Sequence, residues 1–284
     1  MKSPAQTLML PPPSAIPKPL PPRLLPEIID DSQDRRLLLC LDFDGTLSEI
    51  RACPKDARPV RNARRAIRAL AKHPGRIAVA IISGRDLPTL CALLRPEGRI
   101  WMVGGHGIET IDPRGKRHVV PAAKAARSDL ARVRAWMKDN VPRRAGFVIE
   151  DKGVAIAFHY RIAPPRLAIV VRKALSKFLG RGCPSVAILH GKMVDEVIPR
   201  KVGGKGAAVR RIQNSLGKPA PFPVYFGDDA TDEDAFHELR DDGITVRIGG
   251  TQRSWAQYRL DSPATVVVAL QALIAALEPR RKMK

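Results

Sequence analysis

Residues 37–47 read Leu-Leu-Leu-Cys-Leu-Asp-Phe-Asp-Gly-Thr-Leu, and no other stretch limits what the chain can fold into as strongly. Five apolar residues after Arg35 and Arg36 suit a strand buried on both faces, the environment of an inner strand in a parallel sheet. Asp42 and Asp44 follow where that strand should end. Two apart, they point the same way in extended chain, and Gly45 lets the backbone turn sharply after them. Open α/β sheets bind ligands at the carboxyl ends of their strands. Neighbouring carboxylates repel unless a cation or a shared proton intervenes, and a hard cation such as Mg²⁺ is the usual solution, so the stretch points to metal-assisted chemistry on phosphate.

The pattern continues in both directions. Residues 77–82 form a second apolar run with Ser83-Gly84-Arg85 at its carboxyl end, and a helix beginning at Pro59 separates the two runs. A right-handed βαβ unit sets the Ser83 hydroxyl beside Asp42. A further strand over 99–103 leads into the glycine-rich loop 104–107, where His106, taken alone, reads as a loop residue. Hairpins at 108–120, 147–160 and 185–198 then alternate with helices over 122–140 and 164–179. That pattern predicts an antiparallel sheet with helices on one face, inserted into the parallel fold as a separate domain. The parallel pattern resumes with Gly203-Gly204-Lys205-Gly206 opening a helix, where Gly-Lys-Gly serves either as a cap or as a phosphate contact. Residues 223–226 form another buried strand, ending in Asp228, Asp229 and Asp232. Residues 1–31 are rich in proline and are expected to be extended and mobile.

Charge adds a constraint on partners. Lys+Arg 49 against Asp+Glu 28 gives a formal net charge of +21. The basic residues are spread over the predicted helices without a recognised nucleic-acid module, so no nucleic-acid partner is expected. Cys40, Cys53, Cys91 and Cys183 form no close pair and no zinc pattern. With no run long enough to cross a bilayer and no secretory signal, a cytoplasmic location and no membrane association are expected.

Asp-Phe-Asp-Gly-Thr, Ser83, Lys205 and the acids at 228–232 stand in the order of the four motifs of the haloacid dehalogenase superfamily, which the chain resembles. Within it, Glu150-Asp151-Lys152-Gly153, residues 157–161, and Gly191-Lys192-x-x-Asp195-Glu196-Val197-x-Pro199 look like the cap of the trehalose-6-phosphate phosphatase family. The 104–109 loop and the stretch 258–263 look similar too, so the resemblance spans roughly residues 36–277. It implies an α/β fold: a Rossmann-like core with a parallel sheet (32–108 and 200–284) carrying an inserted α+β cap with an antiparallel sheet (109–199, type IIB). It implies that Asp42 is the nucleophile and that Asp44 is acid and then base. Asp42, the Asp44 carbonyl and Asp228 would bind Mg²⁺, supported by Asp229 and Asp232. Thr46, Ser83, Gly84 and Lys205 would hold the phosphoryl oxygens, and His106, Glu150, Lys152 and Glu196 the sugar. The expected substrate is a small sugar phosphate, trehalose 6-phosphate first, with sucrose phosphate or a hexose phosphate as the alternative; behind these stands the rival reading of a basic nucleic-acid-binding protein. A trehalose-phosphate synthase is a candidate partner, and a monomer is expected.

Overall fold

The structure, a computed structural model, describes residues 13, 15–31, 35–51, 54–191 and 193–278. Residues 1–12 and 14 of the proline-rich lead, Cys53, and Lys192 of the third hairpin turn lie outside them. The chain divides into two compact units. One holds the described residues up to His118 together with those from Gly203 onward; the other is Val119–Val202.

The first unit opens with structure where an extended, mobile lead was expected. Strand β1 (Lys18–Pro19) joins a sheet edge, and helix α1 (Leu24–Asp31) buries Leu25 and Ile29 in the main core. The expectation fails for residues 15–31 because Pro26 stands in the first turn of α1, where its missing N–H has no helical partner to lose. Leu24, Leu25, Ile28 and Ile29 share the helix face that packs on the core.

Next come β2 (Leu37–Leu41), α2 (Ala63–Leu70), β3 (Ile77–Ile82), α3 (Leu87–Leu94), β4 (Ile100–Gly104), β5 (Glu109–Ile111) and β6 (Arg117–Val119). All five residues of β2 are buried. Leu37, Leu39 and Leu41 face one hydrophobic cluster while Leu38 and Cys40 face another, so the strand has a core on each side. Each such leucine stabilises the fold by about 1.5–3 kcal/mol. The hairpin expected to begin the inserted domain extends this sheet instead. The turn Gly105–Gly107 reverses the chain directly after β4, so β5 pairs antiparallel with β4 and β6 follows as the edge.

The second unit contains α4 (Pro121–Ala125), α5 (Arg127–Asn140), β7 (Val148–Asp151), β8 (Ile156–His159), α6 (Pro165–Gly182), β9 (Val186–Gly191) and β10 (Val194–Pro199). Its four strands form an antiparallel sheet in the order β7-β8-β10-β9. Leu130 and Val133 of α5 and Val171 and Leu175 of α6 pack against Ile156, Phe158 and Val197. The single helix expected over 122–140 is two helices that meet at Ala126.

The first unit is completed by α7 (Gly204–Ser215), β11 (Phe222–Gly227), α8 (Glu233–Leu239), β12 (Ile244–Ile248), β13 (Tyr258–Leu260) and α9 (Pro263–Leu277). Its sheet has the order β1-β13-β12-β11-β2-β3-β4-β5-β6 and is parallel from β1 through β4. In that register β2 lies between β11 and β3, so Asp42, Asp228 and Ser83 emerge at one edge of the sheet, at the carboxyl ends of three neighbouring strands.

Candidate active site

Asp42 leaves the buried sheet still anchored to it, its N–H donating to the Phe226 carbonyl at 2.9 Å, and is itself only 3% exposed. Lys205, in the first turn of α7, reaches the same place and is equally buried. Its Nζ donates to Asp42 Oδ1 at 2.8 Å and to Asp232 Oδ1 at 2.7 Å. Among the described residues, Asp42 Oδ2 carries no hydrogen bond. Asp232 is fully occupied: Tyr225 also donates to Oδ1, and the N–H groups of Asp228 and Asp229 donate to Oδ2. Asp229 is exposed and caps the turn Ala230–Asp232 by accepting from the Ala230 N–H.

The charges explain one another. Burial pushes the Asp42 carboxyl up, Lys205 opposes that, and Asp232 and Asp228 reinforce it. Burial and then Asp232 raise Asp228 to about 8. Burial tends to lower Lys205, but Asp232 and Asp42 outweigh it and hold the ammonium charged. Fully ionised, Asp42, Asp228 and Asp232 would outnumber the one lysine, so without a cation Asp42 and Asp228 favour their protonated forms. Carboxylate oxygens of these three lie within 4.8 Å of one another, so the group can hold a metal ion. The donor set is all oxygen, which suits a hard cation. With Asp232 saturated, Asp42 and Asp228 are the carboxylates left to bind it. Gly45 makes room for Asp228: at φ 77° it adopts the left-handed region, and a Cβ there would lie 2.0 Å from Asp228 Oδ2.

The other expected residues are placed as follows. Asp44 accepts both forks of the Arg85 guanidinium, each at 2.6 Å, and Arg85 lies over the Phe43 ring. Thr46 is fully buried, and among the described residues its Oγ1 has no hydrogen-bond partner. Ser83 is buried at the end of β3, where its Oγ accepts from the Arg85 N–H. His106, held at φ 55°, rests its ring against Gly84, where a Cβ would lie 2.5 Å from it. Glu150, Lys152 and Glu196 are gathered in the second unit. Glu150 on β7 and Glu196 on β10 both stand opposite Ala157 of β8, in one row across the sheet. Lys152 Nζ donates to Glu196 Oε1 at 2.9 Å, and both are mostly buried. The hydrogen bond with His159, with Lys152 close by, lowers Glu150 below the usual carboxylate range.

Residues 40–264 match the family model described as trehalose-phosphatase. The chain belongs to the trehalose-phosphatase family. A trehalose-phosphate phosphatase of Mycobacterium avium is 35% identical over 88% of this chain and 65% of its own length. An uncharacterized glycosyl hydrolase of Mycobacterium tuberculosis is 38% identical over 86% of this chain, but that match covers 19% of the larger protein. The chain thus spans less than two thirds of the length of these relatives. The C-terminal domain of a trehalose-6-phosphate phosphatase from Candida albicans superposes with a TM-score of 0.75 at 28% identity, covering 92% of this chain and 99% of that domain. In this family setting three residues stand out that carried no role in the sequence: Arg85 on Asp44, Tyr225 on Asp232, and Asp234 at the start of α7. Tyr225 lies inside an apolar run and Asp234 inside an acidic one, so neither is marked by its neighbours.

Proposed function

We propose that the chain hydrolyses trehalose 6-phosphate to trehalose and inorganic phosphate, with Asp42 as the nucleophile. The observation that carries this reading is the buried Lys205 ammonium shared between Asp42 and Asp232 at the ends of β2 and β11. It fixes one Asp42 oxygen and leaves the other for attack on phosphorus. Phosphoryl transfer demands in-line positioning and charge neutralisation above all, and a pre-set ammonium provides both. Asp42 Oδ2 bonds to phosphorus as the ester oxygen departs with a proton from Asp44, which gives that proton once its carboxyl has left the Arg85 fork and been protonated. Asp44 then takes a proton from water, whose attack on the acyl phosphate releases phosphate and regenerates Asp42. Asp42, the Asp44 carbonyl and Asp228 would hold Mg²⁺, which when bound supplies positive charge to the phosphoryl oxygens. The Thr46 hydroxyl, buried without a partner among the described residues, and Ser83 donate to those oxygens.

Glu150, Lys152 and Glu196 read the sugar. Carboxylates on one sheet and an ammonium in the turn after β7 make charge-assisted hydrogen bonds to hydroxyls, and Ala157 between the two acids leaves the row open. The proposal includes a cytoplasmic location, supported by Cys40, Cys91 and Cys183 being free thiols. Among the described residues no helix is long and apolar enough to cross a membrane.

Phosphate release from trehalose 6-phosphate, sucrose 6-phosphate and mannose 6-phosphate, with Mg²⁺ or with chelator, tests the reading. Mg²⁺-dependent preference for trehalose 6-phosphate, eroded in Glu150→Gln and Glu196→Gln, is the expected result. Equal release across the panel, unchanged in both variants, would remove the disaccharide assignment.

A further inference from the structure

Helix α7 carries Lys205 but lacks a cap of its own. Its N-cap residue is Gly203, which makes no side-chain hydrogen bond. The first N–H groups of a helix have no partner within it, and an N-cap side chain usually accepts one of them. Here the acceptor comes from a different helix. Asp234, in the first turn of α8, accepts the Gly206 N–H on Oδ2 at 3.1 Å. The start of α7 is pared down to admit that carboxylate: a Cβ on Gly204, which sits at φ 69°, would lie 2.0 Å from Asp234 Oδ2. A Cβ on Gly206 would lie 3.0 Å from the Asp234 carbonyl oxygen. The second carboxylate oxygen, Oδ1, is buried and has no hydrogen-bond partner among the described residues. A negative side chain here also complements the positive end of the helix.

Lys205 stands between those two glycines, and its Nζ ties Asp42 to Asp232. We propose that Asp234 is a positioning residue for Lys205: by capping α7 from α8 it fixes the backbone from which the ammonium reaches the nucleophile and the transferring phosphoryl group. The inference rests on the reading of Lys205 given above. Displacement of a positioned group by about 1 Å costs up to about 100-fold in rate, so the cap acts on turnover although it touches no reacting atom.

The test compares Asp234→Ala, which removes the acceptor, with Asp234→Asn, which keeps an amide oxygen able to accept the Gly206 N–H. Turnover of trehalose 6-phosphate, affinity for vanadate as a mimic of the transferring phosphoryl group, and thermal melting are measured on full-length protein with Mg²⁺. In Asp234→Ala, kcat and vanadate affinity are expected to fall together by about tenfold or more. In Asp234→Asn both stay within about threefold of wild type, while Asp234→Ala melts lower than Asp234→Asn by roughly a few degrees and is still folded at the assay temperature. Wild-type kcat and vanadate affinity in Asp234→Ala would overturn the proposal. Equal losses in the two variants would overturn it as well, as would a loss in Asp234→Ala that disappears when the assay is run well below its melting temperature. If the wild type releases phosphate from no sugar phosphate, the proposed function falls, yet vanadate affinity still decides the role of Asp234: no difference between alanine and wild type would overturn it.

Discussion

Asp232 accepts from Lys205, Tyr225 and the N–H groups of Asp228 and Asp229, which uses the roughly four acceptor positions a carboxylate has. It therefore shapes the site by holding its neighbours and takes no ligand itself. Asp232→Asn turns one oxygen into a donor facing donors, so unfolding by denaturant should shift by about 1–3 kcal/mol for each buried group left unpaired. An unchanged midpoint would show that the network rearranges around the amide. The acids also give a pH signature to metal-free protein. Asp228, raised to about 8, and Asp234, raised to about 6, bind protons in the folded state that the unfolded chain has already released above its ordinary carboxylate range. Their contribution is complete below the ordinary carboxylate range, about 4, and is lost as pH rises from there, by about 6 for Asp234 and by about 8 for Asp228. In chelator, melting temperature is expected to fall between those values, and excess Mg²⁺ is expected to flatten the decline; the same slope with and without metal would contradict that. The sequence marked Asp42, Asp228 and Lys205 by their places at strand and helix ends. It could not mark the saturation of Asp232, which depends on an ammonium from another helix and a hydroxyl from inside a strand.

At the level of elements, strands were easier to read than the lead that precedes them. β2, β3 and β11 announce themselves as short apolar runs, because a strand buried on both faces needs nothing else. The reading of residues 15–31 went wrong because prolines report lost N–H groups and say nothing of tertiary partners. α1 is held by what it buries, with Leu25 and Ile29 packed in the core beside α9. Ile29→Ala should accordingly destabilise the fold by about 2–5 kcal/mol in a denaturant titration, as expected of a buried core position. A change below about 0.5 kcal/mol, the range of ordinary surface substitutions, would return this segment to the status of a loose lead. The hairpin after β4 was legible as a hairpin, but its membership of the larger sheet was not. Turn chemistry fixes a reversal of the chain and leaves open which sheet the strands extend.

For the whole molecule, one sheet with a core on both faces brings three strand ends together, and a second, antiparallel sheet carries Glu150 and Glu196, with Lys152 in the turn after β7. The two-unit plan was visible as a change of pattern, from strands alternating with helices to hairpins alternating with helices. The net charge of +21 has no part in this chemistry, and the structure gives it no specific role. The proposed function turns on Asp42 taking the phosphoryl group. Phosphate release from trehalose 6-phosphate by Asp42→Asn, beside wild type and at saturating Mg²⁺, tests this most directly. Loss of at least about 10³-fold in kcat with the melting temperature held or raised is the predicted result, since the amide cannot act as the nucleophile and relieves part of the buried negative charge. Turnover within about tenfold of wild type would contradict it.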